Sequence, residues 1–163
     1  MLKKAIYSGT FDPITNGHLN IIKRALRLFD EVVVAVAKSS GKNPMFNFED
    51  RIKFLKEATK ELDGVSVKSF DTLLVDFLKQ ESSFIVIRGL RAVSDFEYEL
   101  QMGYANSSLY SEMETIYLAS DINNTFVSSS IVRSILTHNG KISHLVPKKI
   151  NKMIKKGRYN KCT

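Results

Sequence analysis

The sequence predicts an α/β protein, a single domain built on a doubly wound, five-stranded parallel sheet and followed by C-terminal helices. Apolar, β-branched runs alternate with segments of helical period five times along the chain, which is typical of strand–helix–strand units with right-handed crossovers. The run VVVAVA at 32–37 contains no polar residue. Such a strand is buried on both faces, as in a parallel sheet covered by helices on each side.

Five runs rich in apolar residues are the predicted strands. In order they are KKAIY at 3–7, VVVAVA at 32–37, VSVKSF at 65–70, FIVI at 84–87 and TIYLA at 115–119.

The segments between and after these strands have helical periodicity. In NIIKRALRLF at 20–29, apolar residues three and four apart form one face, and FEDRIKFLKEATKEL at 48–62 repeats the pattern after Asn47, a good N-cap. Helices are also predicted in TLLVDFLKQ at 72–80 and from Ser94, which has capping-box spacing to Glu97, to about Leu109. Two more are predicted in VSSSIVRSILTHNG and PKKINKMIKKG.

Composition limits the class of protein. The 163 residues suit one domain, 1–163, and the N-terminus lacks the apolar core of a signal peptide, so we expect a cytoplasmic protein without a membrane partner. The single cysteine, Cys162, excludes an intramolecular disulfide and a cysteine metal site.

The net charge of +7 is concentrated at one end of the chain. Eight of the 24 Lys and Arg residues lie in 141–163, and all 17 acidic residues precede this segment. The first 140 residues are therefore nearly neutral, which favours a basic helical end over a nucleic-acid-binding surface. A non-catalytic RNA-binding module remains the alternative from a different class, and it would depend on residues 148–163.

The loop SGTFDPITNGH at 8–18 joins the first strand to the first helix. Gly9 permits a tight turn, and Gly17 permits close approach of a ligand where the helix begins. The helix N-terminus attracts phosphate, and His18 in the first turn adds a hydrogen-bond donor. The glycine spacing matches neither a dinucleotide fold nor a P-loop.

Three other loops follow strands at the same predicted edge of the sheet, where ligands bind in such folds. KSSGKNPMF contributes Lys42, and IRGLRAVSDFEYE places Arg88 directly after the strand and Arg91 three residues on. Paired guanidiniums suit bidentate binding of phosphate. In SDINNTFVSSSIVR, Ser128, Ser129 and Ser130 open a helix; one serine suffices as a cap, and the other two offer donors to a further phosphate.

These loops indicate polyphosphate chemistry that works by positioning and charge neutralisation. The sequence contains no candidate metal cage, Ser-His-Asp triad or Cys-His pair, and His138 and His144 are expected to lie on the surface. No covalent enzyme intermediate is therefore expected.

The runs AIYSGTFDPITNGH, IRGLRAVSDFEYE and FVSSS resemble the bacterial phosphopantetheine adenylyltransferases, a family of the nucleotidyltransferase superfamily with a Rossmann-like fold. T-x-G-H marks the superfamily, whereas I-R-G-L-R followed by D-F-E-Y-E is close to diagnostic of the family. The resemblance implies reversible transfer of AMP from ATP to 4′-phosphopantetheine, giving dephospho-coenzyme A and pyrophosphate, the penultimate step of coenzyme A synthesis. It further implies Mg²⁺ with ATP and a homohexamer.

The resemblance also implies roles for matching residues. His18, Lys42 and Arg91 would be catalytic. The acceptor would be bound by Thr10, Lys42, Leu74, Arg88, Met102 and Asn106. ATP would be bound by Thr10, Phe11, His18, Gly89, Leu90, Arg91, Glu99, Asn124, Thr125, Phe126, Val127, Ser128, Ser129 and Ser130. Coenzyme A, which is similar to the product, is expected to inhibit.

Two residues depart from the family pattern. Ser8 stands where many relatives have proline, and Asn124 where they often have an aromatic residue. Other acceptors within the superfamily, such as nicotinamide mononucleotide or the substrates of cytidylyltransferases, remain alternatives, but the apolar residues at the predicted acceptor pocket favour a pantetheine arm.

Overall fold

The computed structural model describes residues 3–38, 43–91 and 93–157, and in this part of the chain strands alternate with helices from the N-terminus. The elements are β1 (Lys4–Gly9), α1 (Asn16–Ala25), β2 (Glu31–Ala37), α2 (Phe48–Thr59), β3 (Val65–Phe70), α3 (Leu74–Gln80), β4 (Ile85–Leu90), α4 (Val93–Leu109), β5 (Glu114–Ala119), a 3-10 turn (Ile122–Asn124), α5 (Ser129–Thr137) and α6 (Lys148–Lys156).

The strands form one parallel sheet in the order β3-β2-β1-β4-β5. The chain builds outward from β1 through β2 to β3 and then returns to place β4 on the other side of β1. The strand order therefore reverses between β1 and β4, and in open α/β sheets ligands bind at the carboxyl ends of the strands at this point.

Alternate residues of the central strands enter two cores. Ala5 and Tyr7 of β1 face α1, α2, α5 and α6, whereas Ile6 faces α3. The same alternation in β2 sends Val32, Val34 and Val36 to the first core and Val33 and Ala35 to the second. The predicted doubly wound α/β fold is confirmed. None of the helices in the described ranges is long and apolar enough to cross a bilayer.

Several predicted boundaries were wrong. α1 begins at Asn16 instead of 20 because Thr15 caps it, and α2 ends at Thr59, three residues early. α4 begins at Val93, so Ser94 lies in its first turn and is not the N-cap.

β4 extends to Leu90, and Arg88 lies within it, paired with Tyr117 of β5. The last three residues of β4, Arg88 to Leu90, pair with Tyr117 to Ala119 of β5 in the backbone ladder.

Candidate active site

A cleft of about 400 Å³ opens at the carboxyl ends of β1, β4 and β5. It lies at the reversal of strand order and is flanked by the N-termini of α1 and α5. Its lining residues are Tyr7, Ser8, Gly9, Thr10, Phe11, Gly17, His18, Ile21, Arg88, Gly89, Arg91, Tyr98, Glu99, Ser120, Val127, Ser128, Ser129 and Ser130. We call this region the cleft.

The loop after β1 is held by two buried charged side chains. The Asp12 carboxylate, 3% exposed, accepts hydrogen bonds from the backbone N–H groups of Met45 and Phe46 at 2.9 Å each, and one of its oxygens lies 3.4 Å from Arg133 Nη1. Arg51 of α2 donates to the carbonyl oxygens of Thr10, at 2.7 Å, and Ala37, at 3.2 Å. Because buried charges need several partners, these contacts define the path of the loop.

His18 closes the N-terminus of α1 through a capping box. Thr15 Oγ1 accepts from the His18 backbone N–H at 3.3 Å, and the Thr15 backbone N–H donates to His18 Nδ1 at 3.1 Å. Nδ1 is therefore the unprotonated ring nitrogen, and the proton of the neutral ring is on Nε2. The cap thus orients the imidazole and leaves the Nε2–H as a donor for a ligand in the cleft.

His18 is neutral at physiological pH. Desolvation by the surrounding protein, reinforced by the positive charge of Arg91, lowers the pKa of His18 from 6.5 to about 4. The ring edge-packs against Phe11 with 5.1 Å between centroids, which keeps water from one side. A neutral imidazole donates a hydrogen bond to an anion without releasing a proton.

The lowered pKa of His18 predicts a loss of stability in acid. The unfolded chain binds a proton at His18 below pH 6.5, whereas the folded chain binds one only near pH 4. Protonation therefore favours the unfolded state, and the free energy of unfolding falls as the pH is lowered from 6.5 to about 4. The free energy of unfolding, measured by urea denaturation, is expected to fall between pH 7 and pH 5 in the wild type. This fall should be about 1–2 kcal/mol larger than in His18→Gln, whose side chain does not titrate. Equal pH dependence in both proteins would contradict the assignment.

Both arginines predicted to bind phosphate are held by carboxylates. Arg88 donates to the Ser8 carbonyl at 2.9 Å, and its Nε lies 3.2 Å from Glu99 Oε2 of α4. Arg91 Nε lies 2.9 Å from Asp95 Oδ2. The carboxylates orient the guanidiniums and offset their mutual repulsion.

The three serines at the start of α5 have separate roles. Ser128 is the N-cap and accepts from the Ile131 N–H at 3.1 Å, Ser129 Oγ donates to the Pro13 carbonyl at 2.8 Å, and Ser130 Oγ accepts from Arg133 at 3.2 Å. The Ser129 hydroxyl therefore donates within the protein, whereas the Ser130 hydroxyl accepts and keeps its own O–H as a donor. That these serines offer hydroxyl and N–H donors to a phosphate stays a prediction. In the first turn, backbone N–H groups lack intrahelical partners, and those of Ser129 and Ser130 provide the donors.

Comparison with known proteins identifies the family. The model of the cytidylyltransferase-like family matches residues 6–135. A phosphopantetheine adenylyltransferase from Campylobacter hominis is 63% identical over 92% of this chain and 94% of that protein, and one from Helicobacter pylori is 54% identical over 96% and 99%. The chain belongs to the phosphopantetheine adenylyltransferase family. The nucleotidyltransferase class and the family predicted from the sequence are confirmed.

The fold of this adenylyltransferase also matches a solved structure. A candidate nicotinate-nucleotide adenylyltransferase from Vibrio parahaemolyticus superposes with a TM-score of 0.72 over 99% of this chain and 98% of that one. At 19% sequence identity, this likeness concerns the fold alone.

Most of the residues predicted to bind substrates in this adenylyltransferase meet in the cleft. They are Thr10, Phe11, His18, Arg88, Gly89, Arg91, Glu99, Val127, Ser128, Ser129 and Ser130. Asn124 is near without lining it, since its carbonyl oxygen would lie 3.8 Å from a β-carbon on Gly17. His138 and His144 are exposed, as predicted.

Other predicted residues lie elsewhere or cannot be placed. Leu90, Thr125 and Phe126 do not line the cleft, and neither do Leu74, the first residue of α3, or Met102 and Asn106 on α4. Lys42 lies outside the described residues, as does Cys162. In the described ranges, no group of three or more His, Cys, Asp or Glu residues is placed to hold a metal ion.

Sequence reasoning missed four lining residues of this adenylyltransferase: Tyr7, Ile21, Tyr98 and Ser120. Tyr7 and Ile21 belong to apolar patterns that predict core, and both are indeed buried. Tyr98 lies on α4 directly before Glu99, and Ser120 directly follows β5. The strand-end rule that singled out Arg91 could have found Ser120.

Proposed function

We propose that the protein catalyses reversible transfer of AMP from ATP to 4′-phosphopantetheine, forming dephospho-coenzyme A and pyrophosphate. The observation that carries the proposal is the meeting of a neutral, oriented His18, two guanidiniums and the α5 N-terminus in one cleft of a chain of this family. These groups stabilise negative charge at several phosphates at once.

The acceptor phosphate attacks the α-phosphate of ATP directly and in line, and pyrophosphate leaves. A phosphate monoester has a second pKa of about 6, so the nucleophile is largely dianionic at neutral pH and requires no general base. His18 donates its Nε2–H to an α-phosphate oxygen as charge develops there. A neutral His18 suits this role, because the proton stays on the ring throughout the step.

ATP occupies the side of the cleft formed by β4 and α5 in this proposal. The N–H groups at the start of α5 and the Arg91 guanidinium hold the polyphosphate, and the segment from Gly89 to Arg91 together with Glu99 and residues 124–130 surrounds the nucleotide. Mg²⁺ enters as part of the substrate, bound to the phosphate oxygens of ATP.

In this proposal the acceptor phosphate is bound by Thr10, which follows β1, by Arg88 in the last half of β4, and by Lys42, which comes after β2 in the sequence. The pantetheine arm runs from there towards Leu74, Met102 and Asn106. Leu74 packs against the second core and is half-buried, and Met102 is 39% exposed, so both have apolar surface available to a ligand.

The proposal extends to assembly and regulation. We propose a cytoplasmic homohexamer, which is supported by exposed apolar side chains on α4, including Phe96 and Leu109. Coenzyme A is proposed to compete with phosphopantetheine. Light scattering and inhibition kinetics test these points, and a monomer, or no inhibition at millimolar coenzyme A, would contradict them.

The activity is tested by pyrophosphate release from ATP and Mg²⁺ with 4′-phosphopantetheine, beside nicotinamide mononucleotide and glycerol 3-phosphate. We expect release with phosphopantetheine alone. Release with a rival acceptor, or with none, would contradict the proposed acceptor.

A further inference from the structure

Tyr7 places a hydroxyl group at the floor of the cleft, beside β4. It is the fourth residue of β1, and its side chain is 6% exposed and lines the cleft. Its ring packs edge-on against Phe11 with 5.4 Å between centroids. A β-carbon at Gly89 would lie 3.7 Å from the Tyr7 hydroxyl oxygen, so the hydroxyl lies against Gly89. The hydroxyl therefore lies where β1 and β4 run side by side.

No hydrogen bond joins this hydroxyl to another group in the described ranges of the chain. Two other tyrosines do form such bonds: the Tyr117 hydroxyl donates to the Glu99 carbonyl at 3.2 Å, and the Tyr110 hydroxyl donates to the Glu112 carboxylate at 3.4 Å. The Tyr7 oxygen is not among the enclosed side-chain atoms that lack a partner, so the hydroxyl is open to the cleft although the ring is buried. A molecule in the cleft is in a position to supply a partner.

The Tyr7 hydroxyl is a neutral donor. Burial raises the pKa of Tyr7 well above its ordinary value of 10, although the positive charges of Arg88 and Arg91 act in the opposite direction. The group is thus protonated throughout the physiological range and offers its O–H to an acceptor.

Apolar and glycine atoms border the hydroxyl, although Arg88 and Arg91 are near enough for their charges to act on it. Ile21 Cγ1 would lie 3.0 Å from a β-carbon on Gly89, so this side chain borders the same spot, and Ile21 is 2% exposed. One turn earlier on α1, Gly17 faces the backbone of Val127, whose side chain is 3% exposed. This strip of apolar atoms and glycine backbone suits the base or ribose of a nucleotide.

We propose that the Tyr7 hydroxyl donates a hydrogen bond to the nucleoside part of the bound nucleotide and is a nucleotide-binding residue of the cleft. The inference rests on the proposed function, because it takes the occupant to be ATP or dephospho-coenzyme A. It assigns Tyr7 a contact with substrate in addition to its packing role in the core.

Tyr7→Phe tests this contact, because it keeps the ring packed against Phe11 and removes one oxygen atom. We expect the KM for ATP to rise about 10-fold, and the KM for dephospho-coenzyme A to rise similarly in the reverse direction. The KM for pyrophosphate and the melting temperature are expected to stay near the wild-type values. Tyr110→Phe, which removes a hydroxyl remote from the cleft, serves as the matched control and should change none of these constants.

Calorimetric titration of ATP into the wild type and Tyr7→Phe separates this inference from the choice of acceptor. A weaker ATP affinity in the variant would support the contact even if a rival acceptor proved to be the substrate. Unchanged ATP affinity would overturn it, and would leave the hydroxyl bonded to water. A rise in the KM for pyrophosphate would also overturn it, since the hydroxyl would then face the phosphates.

Discussion

Replacing His18 with alanine is expected to lower kcat by about 10²- to 10³-fold while the KM for ATP changes by less than about threefold. The capping box orients the imidazole, and the lowered pKa keeps it neutral, so the Nε2–H is in place before the reaction begins. A donor aimed at charge that develops only in the transition state contributes little to ground-state binding. Steady-state pyrophosphate release with varied ATP measures both constants.

His138→Ala is the matched control for this substitution. His138 is an exposed histidine whose Nδ1 contacts the Ser134 carbonyl at 2.8 Å, remote from the cleft, and its loss should leave kcat unchanged. Equal losses in kcat and ATP affinity in His18→Ala would make His18 a binding residue. A kcat near the wild-type value would remove it from the mechanism.

The strands of the sheet were predictable because a strand buried between helices has to be apolar. VVVAVA, the buried β2, was predicted apart from Glu31. The edge strand VSVKSF is only partly buried and contains Lys68, yet it too was predicted with its observed bounds. The prediction failed at the carboxyl end of β4, where Arg88, Gly89 and Leu90 pair with β5 and where Arg88 and Gly89, which line the cleft, interrupt the apolar run. The hydrophobic pattern of a sequence predicts which strand residues are buried. It does not predict where backbone hydrogen bonds extend a strand beyond its apolar residues.

The residues of the cleft were partly predictable for a topological reason. Parallel strands end at the same edge, so Thr10 and Arg91 could be placed together without knowing the strand order. The long-range contacts that hold the loops and side chains of the cleft could not be predicted. Asp12 contacts backbone 33 and 34 residues away, and nothing in the local sequence encodes such a contact. The pairing of Arg88 with Glu99 depends likewise on the angle at which α4 leaves the sheet.

Asp12→Ala is expected to destabilise the protein by about 3–5 kcal/mol, because two charge-assisted hydrogen bonds of about 1.5–3 kcal/mol each are lost in a buried site. The backbone N–H groups of Met45 and Phe46 lose this acceptor, and Arg133 loses its carboxylate partner. For a domain of this size the loss corresponds to a melting temperature lower by about 10 °C. Thermal unfolding followed by circular dichroism measures it.

Asp71→Ala replaces an exposed aspartate between β3 and α3 and is the control. Its free energy of unfolding should lie within about 0.5 kcal/mol of the wild-type value.

The activity of Asp12→Ala, measured well below its melting temperature, separates the effect of the carboxylate on stability from its effect on the geometry of the cleft. The Asp12 contacts join the loop after β1 to the segment that enters α2, and the same loop carries Thr10 and leads to His18. If the contacts also set the geometry of the cleft, kcat falls in the folded variant. If turnover is normal while stability is lost, the loop keeps its path without Asp12, and Arg51, bonded to the Thr10 carbonyl, is sufficient to hold it.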